Sequence, residues 1–134
     1  MIIEARNLSK KVIFNDQEII ILDSINLKLE AASSLAVVGP SGSGKSTLLG
    51  ILAGLDSPSS GEIYIHQKPL HLLSEEARAE IRKESVAFVF QNFELLSGLN
   101  ALENVMLPLE LKNKANAKDV AINYLEKVGM QDRL

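Results

Sequence analysis

The stretch of sequence that decides the fold reads Leu35-Ala36-Val37-Val38-Gly39-Pro40-Ser41-Gly42-Ser43-Gly44-Lys45-Ser46-Thr47. The four apolar residues at its start predict a short strand that ends at Gly39. Apolar residues then recur at helical spacing as far as Ala53, and Gly54 is suited to end that helix. The sequence therefore predicts a strand, a glycine-rich loop and a helix, in that order.

The loop fits the P-loop pattern G-x-x-x-x-G-K-[ST] from Gly39 to Ser46, with Thr47 directly after it. Gly39, Gly42 and Gly44 permit backbone angles that a side chain would forbid. The loop can then curl with its N–H groups directed at one anion. A strand before the loop and an apolar helix after it are the context that this motif requires. All residues from Gly39 to Thr47 are therefore candidate phosphate-binding residues.

Three side chains at the start of the helix carry the predicted chemistry. Lys45 supplies a mobile positive charge for the β- and γ-phosphates, and the Ser46 hydroxyl can bind Mg²⁺. Thr47 can donate a further hydrogen bond to the α-phosphate. The positive end of the helix adds to the attraction for an anion, so the motif predicts a nucleoside triphosphate with Mg²⁺ as the ligand.

The composition argues against several other classes of protein. The 134 residues contain 14 Lys and Arg against 17 Asp and Glu, and the formal charge of −3 gives no reason to expect a nucleic-acid partner. There is no cysteine, which excludes disulfides and thiolate metal sites. The apolar run from Leu48 to Leu55 is far shorter than the ~20 residues of a membrane span. Residues 1–4 lack signal-peptide character, so a cytoplasmic protein is expected.

Further periodicities predict elements on both sides of the loop. Apolar runs and alternations predict strands at 2–8, 19–22, 25–29 and 61–65, with a turn at 14–17. The segment Val86–Phe90 is apolar at every position, which is typical of a strand buried on both faces of a parallel sheet. Helices are predicted from Ser74 to about Glu84 and between Asn116 and Gly129.

Together with the P-loop, the runs Phe88–Phe93 and Ala101–Leu109 resemble the nucleotide-binding subunit of ABC transporters. Within that family the sequence is similar to the branch that powers lipoprotein release and macrolide export. The resemblance extends from Ile2 to Leu134. It implies an α/β P-loop NTPase fold with an N-terminal antiparallel β subdomain and a mostly parallel core sheet.

The resemblance also implies roles for positions outside the loop. Gln91 matches the Q-loop glutamine, which touches Mg²⁺ and the attacking water. It therefore joins Lys45 as a catalytic candidate and Ser46 as a candidate metal ligand. The segment from Asn92 to Met106 is expected to face transmembrane permease subunits, to which it would pass the effect of ATP binding and hydrolysis.

The base, the partners and the location are implied in the same way. The family usually stacks adenine on an aromatic residue where this chain has Val12, and Phe14 lies two positions further on. Val12 is the aligned candidate, and Phe14 is the alternative. The implied cofactors are ATP and Mg²⁺, and the implied partner is a second ATPase subunit in a homodimer. The protein would lie on the inner face of the cell membrane and drive export or lipoprotein-related transport.

In the family, the LSGGQ signature, the Walker B Asp with its catalytic Glu and the switch His follow the position of Leu134. Residues 1–134 are therefore expected to be the N-terminal part of one nucleotide-binding domain, truncated within the helical subdomain. They should bind phosphate without appreciable hydrolysis, and an unpaired P-loop strand predicts marginal stability. Two alternatives stay open, namely a non-hydrolysing nucleotide- or partner-binding remnant and a small P-loop kinase.

Three weaker patterns favour ordinary structure over chemistry. The segment Ile20–Asp23 resembles a Walker B strand but precedes the P-loop, so a strand end is favoured. The segment 96–98 begins like the LSGGQ signature, which Leu99 then breaks. His66 and His71 make a poor metal pair, and the charged segment 75–84 is most simply a solvated helix face.

Overall fold

The computed structural model describes residues 1–133, which form two compact units, Met1–Phe88 and the residues from Val89 onwards. The elements of the first unit are β1 (Ile3–Phe14), β2 (Gln17–Leu29), α1 (Lys45–Leu52), β3 (Ser60–Ile65), β4 (Lys68–Pro69), a 3₁₀ turn (Leu70–Leu72) and α2 (Glu75–Ser85). The elements of the second unit are α3 (Ala101–Leu111), α4 (Ala117–Lys127) and a 3₁₀ turn (Gln131–Arg133).

The first unit is built on an antiparallel sheet of order β2-β1-β3-β4. The predicted turn at 14–17 is confirmed, because Phe14 pairs with Gln17 and the chain reverses through Asn15 and Asp16. Both turn residues have positive φ, 50° and 58°. Such angles give a two-residue loop the twist that joins two adjacent antiparallel strands. The N-terminal antiparallel β subdomain that the sequence predicts is therefore present.

The pairing of β1 with β3 is interrupted between Arg6 and Ser9, and Gly61 lies opposite the interruption. Gly61 has φ of 87°, and a Cβ there would collide with the backbone of Asn7 and Leu8. Glycine is the residue that satisfies both conditions, since it has no side chain and tolerates positive φ. Gly61 therefore accommodates the irregularity at which the register of β1 against β3 shifts.

Helix α1 packs on the sheet and supplies much of the core of the first unit. Its buried residues are Leu48, Ile51 and Leu52, at helical spacing. They join a cluster of buried aliphatic side chains from the sheet, the 3₁₀ turn and α2, which comprises Leu8, Leu22, Ile63, Ile65, Leu70 and Ile81. Burying one such side chain contributes roughly 1.5–3 kcal/mol. The helix predicted after the glycine-rich loop is confirmed, and its position is fixed by this packing.

The turn that follows α1 is clamped from two directions. From β1, the Lys10 Nζ atom lies 2.8 Å from the Asp56 carboxylate and donates to the Ser57 carbonyl oxygen at 2.7 Å. From α2, Arg82 donates to the Gly54 carbonyl oxygen at 2.6 Å. Positive charges at the C-terminal end of a helix also interact favourably with its dipole. The end of α1 is therefore held by both the strand and the second helix.

The solvated helix predicted at 74–84 is confirmed as α2, and its charges have structural roles. Ser74 caps the helix by accepting a hydrogen bond from the Ala77 amide. Glu75 in the first turn pairs with Arg78 at 2.6 Å and with Arg82 at 2.7 Å. Its carboxylate thus aligns two guanidinium groups that also bond the turn after α1, with Arg78 donating to the Ser57 hydroxyl.

The second unit is a pair of helices. The predicted helix between Asn116 and Gly129 is confirmed as α4, which buries Ala117, Ala121 and Leu125. Helix α3 was not predicted, although the sequence carries its start signal. Asn100 and Glu103 form a capping box, in which each side chain accepts a hydrogen bond from the other residue's backbone amide.

The strands predicted at 35–38 and 86–90 are not found in residues 1–133. Residues 35–38 and 86–90 belong to no β-ladder. Residues of both segments instead line an apolar groove of about 390 Å³, among them Leu35, Val37, Val86 and Phe88. A parallel strand forms only when a neighbour lies about 4.8 Å away. Within residues 1–133, no such pairing joins these two segments to each other or to a third strand.

Two valines of these segments are almost fully exposed, Val38 to 87% and Val89 to 95%. Apolar side chains that a parallel sheet would cover lie in solvent instead.

Within residues 1–133, no helix has the length and apolar character that crossing a bilayer requires.

Substituting Gly61 tests the irregularity in the sheet. We expect Gly61→Ala to lower the free energy of unfolding by about 2 kcal/mol or more, because the new Cβ collides with β1 at a positive φ. Gly50→Ala is the matched control. Gly50 lies in α1 with open space around the added Cβ, so that change should raise stability by about 0.5–1 kcal/mol. Urea unfolding followed by circular dichroism measures both, and equal stabilities for the two variants would contradict this account.

The clamp on the turn also predicts a pH dependence. The Lys10 ammonium bonded to Asp56 holds the pKa of that carboxyl below its usual range. Its stabilising contribution is therefore complete above the ordinary carboxyl pKa and is lost as the pH falls through the lowered value. We expect the unfolding free energy to decline below about pH 4, and to decline less steeply in Asp56→Asn. Urea titrations at successive pH values measure this, and the same slope for both proteins would count against the clamp.

Candidate functional site

The glycine-rich loop curls into the N-terminal end of α1. Gly44 is the N-cap residue of the helix with φ of 90°, and its carbonyl oxygen accepts the first helical hydrogen bond, from the Leu48 amide at 2.9 Å. No side chain caps this end of the helix. The amides of residues 45–47 therefore point out of the helix without intrahelical partners. This arrangement can bind an anion through backbone N–H groups.

Glycine is required at position 44 for its positive φ and also because β2 leaves no room for a side chain. A Cβ at this position would lie 2.9 Å from the Ile21 carbonyl oxygen and 3.1 Å from the Leu22 side chain, both on β2. The loop therefore approaches the sheet at a point where no side chain fits. Any other residue here would push the start of α1 away from β2.

Gly39 has a different reason to be glycine from the one predicted. Its φ is not positive, unlike that of Gly42 and Gly44. A Cβ at Gly39 would lie 2.8 Å from the Ser43 hydroxyl oxygen. The predicted freedom of backbone angle is thus used at Gly42 and Gly44, whereas at Gly39 the loop folds back closely and a side chain would displace the Ser43 hydroxyl.

The Lys45 amine lies inside this curl. It donates to the carbonyl oxygens of Gly39 and Pro40, each at 2.7 Å, and lies 3.4 Å from the Ser43 hydroxyl. The half-buried ammonium thus faces oxygen atoms on the concave side of the loop. Phosphate oxygens can replace these carbonyl oxygens as acceptors, since an ammonium group is a compact charge with three rotatable donors.

The remaining loop side chains are open to solvent or nearly so. Ser41 and Ser46 are exposed, and Thr47 is half-buried in the first turn of α1. The Ser46 hydroxyl can therefore reach a hydrated cation held by a bound phosphate. Oxygen donors are the ligands that Mg²⁺ prefers, so the residues present fit a magnesium nucleotide.

The candidate base-binding residues lie at the end of the β1–β2 hairpin. Val12 pairs with Ile19 across the hairpin, and Phe14 lies two residues further along β1. Alternate residues of a strand share one face, so Val12 and Phe14 are on the same side. Both are exposed, Phe14 to 64%. The hairpin thus offers an apolar strip, and β2 joins that strip to the point where Gly44 contacts the sheet.

Gln91 belongs to the second unit. It lies in a turn with Asn92, and its side chain is exposed. The residues after it include exposed apolar side chains, with Phe93 at 83% and Leu95 at 72%. Phe93 and Glu94 have positive φ. The segment that is expected to face a permease thus begins as irregular chain with exposed apolar side chains and ends in the first turns of α3.

An apolar groove of about 390 Å³ lies next to this segment. It is formed by the loop before α3, α3 itself and the end of α4, and its lining includes Leu95, Leu96, Leu99, Val105 and Leu125. The Asn104 amide holds the loop in place, accepting from the Leu96 amide at 2.9 Å and donating to the carbonyl oxygens of Leu99 and Asn100, each at 3.0 Å. The sequence analysis missed Asn104, because its partners are set by the shape of the loop.

The weaker candidates are ordinary structural residues. Asp23 lies inside β2, where it accepts from the Ser24 hydroxyl. His66 is exposed, and His71 bonds the backbone of Ile63. Within residues 1–133, no three His, Cys, Asp or Glu side chains group together as a metal site.

Comparison with known proteins identifies the family. A family model described as "ABC transporter" matches residues 12–134. The ABC transporter ATP-binding protein YbbA of Escherichia coli K12 is 47% identical over 99% of this chain and 59% of its own length. The lipoprotein-releasing system ATP-binding protein LolD of Saccharophagus degradans is 40% identical over the same shares. The chain thus spans about three-fifths of the length of these relatives.

Comparison with solved structures points to the same family. A dimeric, post-hydrolysis structure of the ATP-binding cassette MJ0796, bound to ADP and Pi, matches with a TM-score of 0.88 and 35% identity, over 92% of this chain and 56% of that chain. The predicted fold class is confirmed by this match, and the small P-loop kinase alternative finds no support. This chain belongs to the ABC transporter family and has the fold of its ATP-binding cassette.

Proposed function

We propose that this chain binds ATP and Mg²⁺ as the nucleotide-binding part of an ABC transporter. In the complete protein, binding and hydrolysis would drive export or lipoprotein-related transport. The observation that carries the proposal is the position of the Lys45 ammonium, which lies inside a curled loop that opens onto the N-terminal end of α1. Backbone amides, a helix end and a cation then converge on one place.

Each part of the site would bind a different part of the nucleotide. The loop Gly39–Thr47 would hold the phosphates through its amides, and Lys45 would exchange its two carbonyl acceptors for phosphate oxygens. Ser46 would bind the metal, which neutralises phosphate charge when present. The strip at the end of the hairpin would contact the base, with Val12 and Phe14 on one face.

We further propose that Gln91 acts with Lys45 in turnover and adds a second ligand to the metal. Gln91 aligns with the family's Q-loop glutamine, and its side chain is exposed rather than packed in a core. Phosphoryl transfer depends on positioning the attacking water and neutralising charge together. Residues 39–47 would supply the phosphate-binding groups, and the resemblance implies that the family's signature and switch residues belong to a part of the domain other than residues 1–134. We therefore expect this chain to bind ATP and to release phosphate only at a negligible rate.

Replacing Lys45 tests the proposed nucleotide site. We expect Lys45→Met to weaken ATP binding at least about tenfold, because a charge-assisted contact to phosphate is lost. Lys68→Met, on the exposed strand β4, is the control and should bind as the unaltered chain does. Isothermal titration with Mg²⁺ and ATP measures affinity, and a phosphate-release assay on the same samples measures turnover. Unchanged ATP affinity in Lys45→Met would refute the proposed site, and Lys45-dependent turnover at an ordinary enzyme rate would refute the separation of binding from hydrolysis.

We also propose two protein partners and a location. A second ATPase subunit would form a homodimer, which the dimeric cassette MJ0796 supports by similarity. The segment from Asn92 to Met106, with the groove beside it, would bind a permease subunit and hold the protein on the inner face of the membrane. Exposed apolar patches of this kind are typical of interaction sites.

Substitutions in the loop before α3 test the permease surface. We expect Leu95→Gln with Leu96→Gln to reduce the fraction of protein that sediments with cell membranes, because the apolar contact is lost. ATP affinity should stay the same. Leu72→Gln, at an exposed leucine of the first unit, is the matched control and should sediment normally. Sedimentation that all three substitutions leave unchanged would refute the proposed surface.

A further inference from the structure

Lys10 connects the two parts of the first unit that would bind the base and the phosphates. It lies on β1, two residues before Val12. Its side chain is largely buried, with 18% exposed, and its amine contacts both Asp56 and the Ser57 carbonyl oxygen. Those two residues belong to the turn directly after α1. The strand that carries Val12 is therefore bonded to the far end of the helix that starts at Lys45.

This bond is one of several attachments between the hairpin and α1. The core side chains Leu48, Ile51 and Leu52 pack α1 against the sheet. At the front of α1, Gly44 packs against the backbone of β2 at Ile21. Beyond the other end of the helix, which is eight residues or about 12 Å long, Lys10 bonds the turn. The Lys10 bond thus adds a charged, directional contact at the end of α1 opposite to Gly44.

We propose that Lys10 is a positioning residue that sets the base-binding strip of the hairpin relative to the phosphate-binding loop. This inference rests on the proposed nucleotide site. A ligand that contacts both parts gains affinity when their spacing is fixed before binding. A ligand that contacts the loop alone gains nothing from that spacing. Lys10 therefore contributes to the preference for a nucleotide over a bare polyphosphate, without touching either.

The surroundings of Lys10 allow it to be removed without dismantling the fold. Ser59 still joins the turn to β1, through its amide on the Ser9 carbonyl and its hydroxyl with the backbone of Lys11. Arg82 still holds Gly54 from α2. The loss of Lys10 thus removes one charged contact and loosens the attachment of the turn to β1, while the ladder, the core and the Ser59 bonds stay in place.

The test compares two ligands on Lys10→Met, which keeps the length of the side chain but loses its charge. We expect ATP affinity to fall about fivefold and inorganic tripolyphosphate affinity to change less than about twofold. Lys11→Met is the matched control, because Lys11 pairs with Glu18 inside the hairpin at 2.8 Å. It should leave both affinities unchanged. Lys10→Arg, which keeps the charge and donors, should restore most of the ATP affinity.

Amide hydrogen exchange without ligand gives an independent measurement. The Leu55 and Asp56 amides bond the Gly50 carbonyl oxygen at 2.8 and 3.3 Å, and they should exchange faster in Lys10→Met than in Lys11→Met. Equal losses of ATP and tripolyphosphate affinity, or no change in either, would overturn the positioning role. If the unaltered chain binds neither ligand, the proposed nucleotide site itself fails, and that outcome is distinct from both of these.

Discussion

The contact between Gly44 and the backbone of β2 is the constraint on which the site depends. The Ile21 carbonyl oxygen lies where a side chain at Gly44 would have to be. This closeness places the start of α1 against the sheet and leaves the first-turn amides directed outward. The Lys45 amine can then lie within the loop. Adding a single methyl group at Gly44 would displace the start of α1, and with it the first-turn amides and Lys45.

The antiparallel part of the expected fold is a regular sheet in the described residues. Strands β1 and β2 pair through the two-residue turn at Asn15 and Asp16, and β3 pairs with the other edge of β1. Within residues 1–133, the segments 35–38 and 86–90 belong to no β-ladder. Leu35, Val37 and Val86 from these segments line an apolar groove. Their apolar sequence is typical of strands buried in a parallel sheet, and in this structure it forms the wall of that groove.

Local signals in the sequence predicted most of the fold, including the glycine-rich loop that opens α1. The pattern from Gly39 to Thr47 determines the shape of that loop, helix α2 follows from its spacing and its Ser74 cap, and helix α4 follows from its apolar spacing. Contacts between distant residues were not predictable. Lys10 and Asp56 are adjacent only because α1 packs on the sheet and returns the chain to β1. Gly39 was predicted as glycine for its angles, but the close approach of Ser43 is visible only in three dimensions.

The clamp at the end of α1 also connects the loop to the part of the chain that leads to Gln91. Arg82 bonds the turn after α1, and Glu75 holds Arg82 in place from the first turn of α2. Helix α2 ends at Ser85, six residues before Gln91. Ile81 of α2 also lies in the buried cluster that contains the α1 side chains. A displacement of α1 would therefore act on α2 both through a short, charge-assisted bond and through close-packed apolar side chains. The helix that precedes Gln91 in the chain is thus directly connected to the helix that starts at Lys45.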